Sequence, residues 1–150
     1  MSAATRTKLH QETARVLRGS CLCGRVMFET TGDPLIYHTC FCDCCRKASG
    51  SAFMAIAFFK IQHFTLVSGQ DVIKTYGDGD TITGNIMSRS FCGECGAPMW
   101  LQSPLREGCI LVNTGAYDDH HEWVPNREWF PHRKDGWIKD ILVPIEKTML

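Results

Sequence analysis

Gly19-Ser20-Cys21-Leu22-Cys23-Gly24 near the start of the chain, and Phe91-Cys92-Gly93-Glu94-Cys95-Gly96 far along it, decide how this sequence folds. Each stretch holds a close pair of cysteines followed by a glycine. A tetrahedral zinc takes four sulfurs at about 2.3 Å, which sets them about 3.8 Å apart. An extended strand cannot offer this, because residues i and i+2 lie about 6.6 Å apart along it. The backbone must curl around the metal. Gly93 eases that curl, and Gly24 and Gly96 are free to take a positive φ behind the second sulfur. Together, Cys21, Cys23, Cys92 and Cys95 make one closed four-thiolate site. Such a site is structural, and it staples the beginning of the domain to a distant strand.

Between the two pairs stands Cys40-Phe41-Cys42-Asp43-Cys44-Cys45-Arg46-Lys47. Cys40, Cys42 and Cys45 supply three ligands in a C-x-C-x-x-C spacing, and three protein ligands with an open position are the arrangement of a catalytic zinc. Cys44 is the alternative, because as a fourth ligand it would close the centre. Adjacent Cα atoms are about 3.8 Å apart with side chains that diverge, which favours leaving Cys44 out. Cys109, in the apolar run Cys109-Ile110-Leu111-Val112, reads as a small buried hydrophobe.

Composition sets the frame for these clusters. The 150 residues suit one domain, and 44% hydrophobic with 21% charged residues is ordinary globular usage. No apolar run approaches the roughly 20 residues of a membrane helix. Sixteen basic residues balance sixteen acidic ones, so a nucleic-acid partner is not expected. Nine cysteines cannot all pair as disulfides. No apolar leader precedes them, so a reducing compartment is expected, where clustered cysteines bind metal or catalyse. That compartment reads as the cytoplasm. Arg6, Lys8, Arg15 and Arg18 against the single Glu12 make the mitochondrion the alternative.

Residues 1–18 read as a flexible tail and 19–150 as the domain, with a core over 19–115 and an aromatic C-terminal segment over 116–150. Short apolar runs alternate with turn residues, and no segment sustains a helical period, so the fold class is mostly β. Strands are expected at Arg25–Thr31, Leu35–Thr39, Ser51–Lys60, Phe64–Ser68, Val72–Tyr76, Ile82–Phe91 and Cys109–Thr114. A loop is expected at Gly77–Asp80 and one helical turn at Cys44–Ser49. The stretch from Asp118 to Gly136 carries Trp123, Trp129, Phe130, His120, His121 and His132. It is too aromatic for a linker and is expected to pack back, either completing the core or walling a pocket.

The motifs G-S-C-x-C-G at Gly19–Gly24, C-x-C-x-x-C-R-K-x-x-G at Cys40–Gly50 and F-C-x-x-C-G at Phe91–Gly96 resemble the glutathione-dependent formaldehyde-activating enzyme family, which includes centromere-protein-V-like proteins. The resemblance covers roughly residues 19–102. It implies a zinc-stabilised β-tent fold with two zinc ions per chain: a structural one on Cys21, Cys23, Cys92 and Cys95, and a catalytic one on Cys40, Cys42 and Cys45. It also implies a carbon–sulfur lyase of the S-(hydroxymethyl)glutathione synthase kind. Phe41 stands where the family often has histidine, and Cys44 is an additional thiol inside the motif.

Three thiolates leave a divalent zinc formally at −1, a weaker Lewis acid than a three-histidine site but a good seat for a soft substrate thiol. The expected partner is therefore a small thiol such as glutathione, presented to an aldehyde-type electrophile. Arg46 and Lys47 are the candidate substrate anchors, with Lys60, Arg89 and Arg127 as further candidates. The general acid or base is not visible: His38, Asp43 and the histidines of the aromatic segment all have simpler structural readings. A non-catalytic zinc-stabilised binding module is the alternative function, and it predicts a closed central site.

Overall fold

The computed structural model describes residues 14–139. Ten strands and one short helix follow one another: β1 (Val16–Ser20), β2 (Met27–Thr31), β3 (Ile36–Cys40), α1 (Asp43–Ser49), β4 (Met54–Lys60), β5 (Phe64–Ser68), β6 (Ile73–Asp78), β7 (Met87–Cys92), β8 (Pro98–Gln102), β9 (Cys109–Asn113) and β10 (Arg127–Trp129). The protein is mostly β, as expected. A three-stranded sheet has the order β1-β2-β5, and a seven-stranded sheet the order β10-β3-β4-β9-β8-β7-β6. All pairings are antiparallel except β10 on β3, which is parallel.

The centre of the large sheet is buried on both faces, so β4 reads as a continuous apolar run rather than an alternating one. Successive side chains of a strand point to opposite faces. Ala57 and Phe59 join Val26, Phe28, Met99, Trp100, Ile110 and Val112 in one core cluster, and that cluster contains Cys21 and Cys92. Ile56 and Phe58 join Met54, Leu101 and Leu111 in a second cluster, and that one contains Cys40 and Cys45. The sheet thus gives each cysteine group its own apolar backing.

Several boundaries differ from the sequence reading. β1 starts at Val16, inside the stretch assigned to the tail, because Leu17 is buried and the strand pairs Val16–Ser20 with Met27–Thr31. Residues 1–13 of that tail and 140–150 of the C-terminal segment lie outside the described residues. Residues 82–86 are a turn rather than a strand. The Thr81 hydroxyl donates to the Asn85 carbonyl at 2.6 Å, and the Gly84 N–H donates to the Thr81 carbonyl at 3.0 Å. Such local bonds compete with strand pairing. Gly77 and Asp78 belong to β6 instead of the loop. The helical turn is a seven-residue helix.

The aromatic C-terminal segment packs back. Trp123 lies against Phe59, and Trp129 stacks on His38 with ring centroids 4.4 Å apart. Cys109, at the start of β9, is half-buried rather than fully buried.

Candidate metal centres

Two turns build the first centre in parallel ways. After Cys21 the chain reverses through a Gly24 N–H to Cys21 carbonyl bond of 2.9 Å, and after Cys92 through a Gly96 N–H to Cys92 carbonyl bond of 2.8 Å. Gly24 and Gly96 take φ of 75° and 74°, a conformation that costs glycine nothing and a side chain of L-configuration about 1–2 kcal/mol. The four sulfurs of Cys21, Cys23, Cys92 and Cys95 lie within 4.8 Å of one another. Cys21 and Cys23 are 3.5 Å apart, and Cys23 and Cys92 are 3.7 Å apart, all as free thiols. These separations match the edge of a tetrahedral four-sulfur site.

Backbone N–H groups turn toward the sulfurs. Val26 N–H donates to Cys21 Sγ at 3.2 Å. Burial pushes the Cys21 thiol up, but this bond and the neighbouring sulfurs outweigh it and leave it lowered. The Ala97 N–H draws the Cys95 thiol down to about 6. Hydrogen bonds to the charged form favour it, so the loops are prepared for thiolates.

The second centre joins the end of β3 to the start of α1. Cys40 closes β3, and Cys42 is the N-cap of the helix, its sulfur accepting the Cys45 N–H at 3.4 Å. An N-cap side chain faces the N3 position, so capping brings the Cys42 and Cys45 sulfurs together. Cys40 and Cys42 Sγ are 3.5 Å apart, and all three sulfurs lie within 4.8 Å of one another. Cys44, one position before Cys45, points away and donates its S–H to the Asp80 carbonyl at 3.0 Å. It belongs to neither group.

The electrostatics of the trio call for a cation. Contacts from Cys40 and Cys45 drive the Cys42 thiol down to about 2, and the same contacts drive Cys40 far up. Cys45, lowered by Cys40 but raised more by Cys42 and burial, sits at about 11. Three neighbouring thiols cannot all ionise without a positive charge among them. The donor sets, all sulfur at tetrahedral separations, fit zinc in both centres.

The expected anchors take up different positions. Arg46 lies on α1 with its Nη2 3.2 Å from Asp135 and its Nη1 3.9 Å from Asp43, so carboxylates already answer its charge. Lys47 is exposed, without an ion pair among the described residues. Both border an open cleft of about 550 Å³ with Asp135 and Trp137. Asp43 is engaged by Arg133 at 2.6 Å. His38 is buried and held down to about 3 by desolvation, with Arg127 adding to the effect. His121 is stacked on Trp123 among Tyr37 and Tyr117. Of the further candidates, Arg89 interacts electrostatically with the central sulfurs of Cys42 and Cys45. The C-x-C-x-x-C spacing marks the sulfurs but does not reveal a cation contributed from β7.

Comparison with known proteins agrees with this geometry. No curated protein matches the chain significantly. A crystal structure of a Rhodobacter sphaeroides protein shares the fold, with a TM-score of 0.57 and 22% identity over 71% of this chain and 92% of the other. The family described as "Glutathione-dependent formaldehyde-activating enzyme" matches residues 16–133, a stretch that contains all seven clustered cysteines, and the chain belongs to that family.

Proposed function

We propose that the protein is a zinc-dependent carbon–sulfur lyase of the S-(hydroxymethyl)glutathione synthase type, acting on glutathione or a related small thiol and an aldehyde-type electrophile. One observation carries this reading: Cys40, Cys42 and Cys45 come together without a fourth cysteine, histidine or carboxylate among the described residues. When bound there, zinc supplies a soft acceptor that lowers the pKa of an incoming thiol. The protein holds that position with Cys40 at a strand end and Cys42 and Cys45 on one helical turn. Lys47 stands at the adjoining cleft as the anchor for a carboxylate of the thiol, and Arg46, tied to Asp135, lines the same wall. The substrate sulfur attacks the carbonyl carbon, the carbonyl electron pair moves to oxygen, and the oxygen takes a proton. The reverse reaction breaks the same carbon–sulfur bond. Cys21, Cys23, Cys92 and Cys95 hold a second zinc that maintains the fold. Seven ligating thiols must stay reduced, which supports a reducing compartment, the cytoplasm.

Metal analysis should give two zinc ions per chain. X-ray absorption should show the sulfur count at the central metal rising from three to four when glutathione is added. Spectra unchanged at millimolar thiol would overturn thiol delivery. A central metal that already carries a fourth protein sulfur would support the binding-module reading instead.

A further inference from the structure

An enclosed ion pair lies against the central cysteines. Arg89, within β7, places Nε 2.7 Å from Asp78 Oδ2 on β6, and the two side chains are only 13% and 9% exposed. The other Asp78 oxygen accepts the Asp80 N–H at 3.2 Å. An arginine often grips a carboxylate with both arms of its fork. Here the bond to Asp78 comes from Nε, and Nη1 is buried with no hydrogen-bond partner. Leu101, the register partner of Arg89, and Met87, two residues before it on the same face, pack in the cluster that holds Cys40 and Cys45. An arginine guanidinium stays charged at any physiological pH, and Asp78 answers that charge on the Nε side. The Arg89 charge reaches Cys42, Cys44 and Cys45, as a lesser influence at each, and the Asp78 charge registers at Cys44. The face of β7 that carries Arg89 is thus turned toward the cluster that holds the trio. Arg46, by contrast, is engaged by two carboxylates.

We propose that Arg89 is a positioning residue of the central centre: fixed by Asp78, its guanidinium offsets the negative charge of the three thiolates, so that the fourth position accepts an anionic ligand. This rests on the reading of Cys40, Cys42 and Cys45 as an open metal site. Three thiolates and a divalent cation sum to −1, and an incoming thiolate takes the sum to −2. A fixed positive charge beside Cys45 opposes that accumulation, and its effect is strong because the site is partly dry. β7 thereby serves both centres, carrying Arg89 toward one and Cys92, at its end, into the other.

The test uses the full chain with cobalt(II) in both centres and three variants: Arg89→Met, Arg89→Lys and Asp78→Asn. Glutathione is titrated against the sulfur-to-cobalt absorption, and metal retention is measured against EDTA. Arg89→Met should weaken glutathione binding and central-metal retention about 10- to 100-fold, the usual range for a residue behind a ligand. Arg89→Lys, which keeps the charge, should recover part of the loss, and Asp78→Asn should lose less than Arg89→Met. Cobalt in the four-cysteine centre should be unaffected. If Arg89→Met fails to fold, Arg89→Lys and Asp78→Asn decide the matter, since both must depart from the parent. Variants that bind glutathione and retain metal like the parent overturn the proposal. A parent protein whose spectrum ignores glutathione overturns the lyase reading, while metal retention in the variants still decides the role of Arg89.

Discussion

Cys42 serves the helix and the metal with one sulfur, and the two roles are separable by mutation. Serine caps helices well but offers no thiolate at neutral pH. Cys42→Ser should therefore keep α1 and lose the central metal, which circular dichroism and metal analysis would show together. Cys44→Ser should keep both metals, because its sulfur turns to the Asp80 carbonyl; loss of one zinc would mean that Cys44 is a ligand. Tyr117 makes a different residue-scale prediction. Burial holds its phenol above the ordinary value, although the hydrogen bond with the Thr30 hydroxyl at 2.9 Å works the other way. The unfolded chain releases that proton near pH 10. The contribution of Tyr117 to stability is therefore full below about pH 10 and is lost progressively as pH rises above it. Tyr117→Phe should remove the late phase of phenolate absorbance and flatten the alkaline loss of stability across that window.

At the scale of elements, the cysteine turns depend on close backbone approach. A Cβ on Gly93 would stand 2.6 Å from the Val72 carbonyl oxygen, which accepts the Gly93 N–H at 2.9 Å. Gly93→Ala should cost about 1–3 kcal/mol by overpacking, read as a fall in melting temperature with the zinc content retained. Elements with strong local signals were legible in the sequence. Phe64–Ser68 and the strand beginning at Cys109 stand where turn residues and β-branched runs put them. The turn over residues 82–86 was misread as strand because Ile82 and Ile86 look apolar. Both are about 60% exposed, and the threonine and asparagine hydrogen bonds govern that segment. Three-residue β10 was not legible, since it exists only by pairing with β3.

At the scale of the whole molecule, the proposed function assigns stability to one centre and chemistry to the other. The first ties β1 and its following turn to the β7–β8 hairpin, between residues 69 positions apart at Cys23 and Cys92. The second draws its three sulfurs from a single short segment. Cys92→Ala should lower the melting temperature by many degrees and lose one metal per chain. Cys45→Ala should abolish activity and lose the other metal while the fold largely survives. Equal unfolding of the two variants in a thermal melt would make the central metal structural and remove the main support for an enzyme.

The sequence by itself determined the two cysteine groups, the mostly-β class and the family, because metal-ligand spacing and strand alternation are local patterns with narrow geometric solutions. The three-cysteine group was legible for the same reason: an N-cap and an N3 residue share one side of a helix wherever that helix lies. Only the tertiary structure decided which cation reaches the trio. Arg46, adjacent in sequence to Cys45, is engaged by Asp135, whereas Arg89 approaches from another strand and is held there by Asp78. Charge compensation acts through space, and no local pattern in a chain encodes which distant strand will supply it.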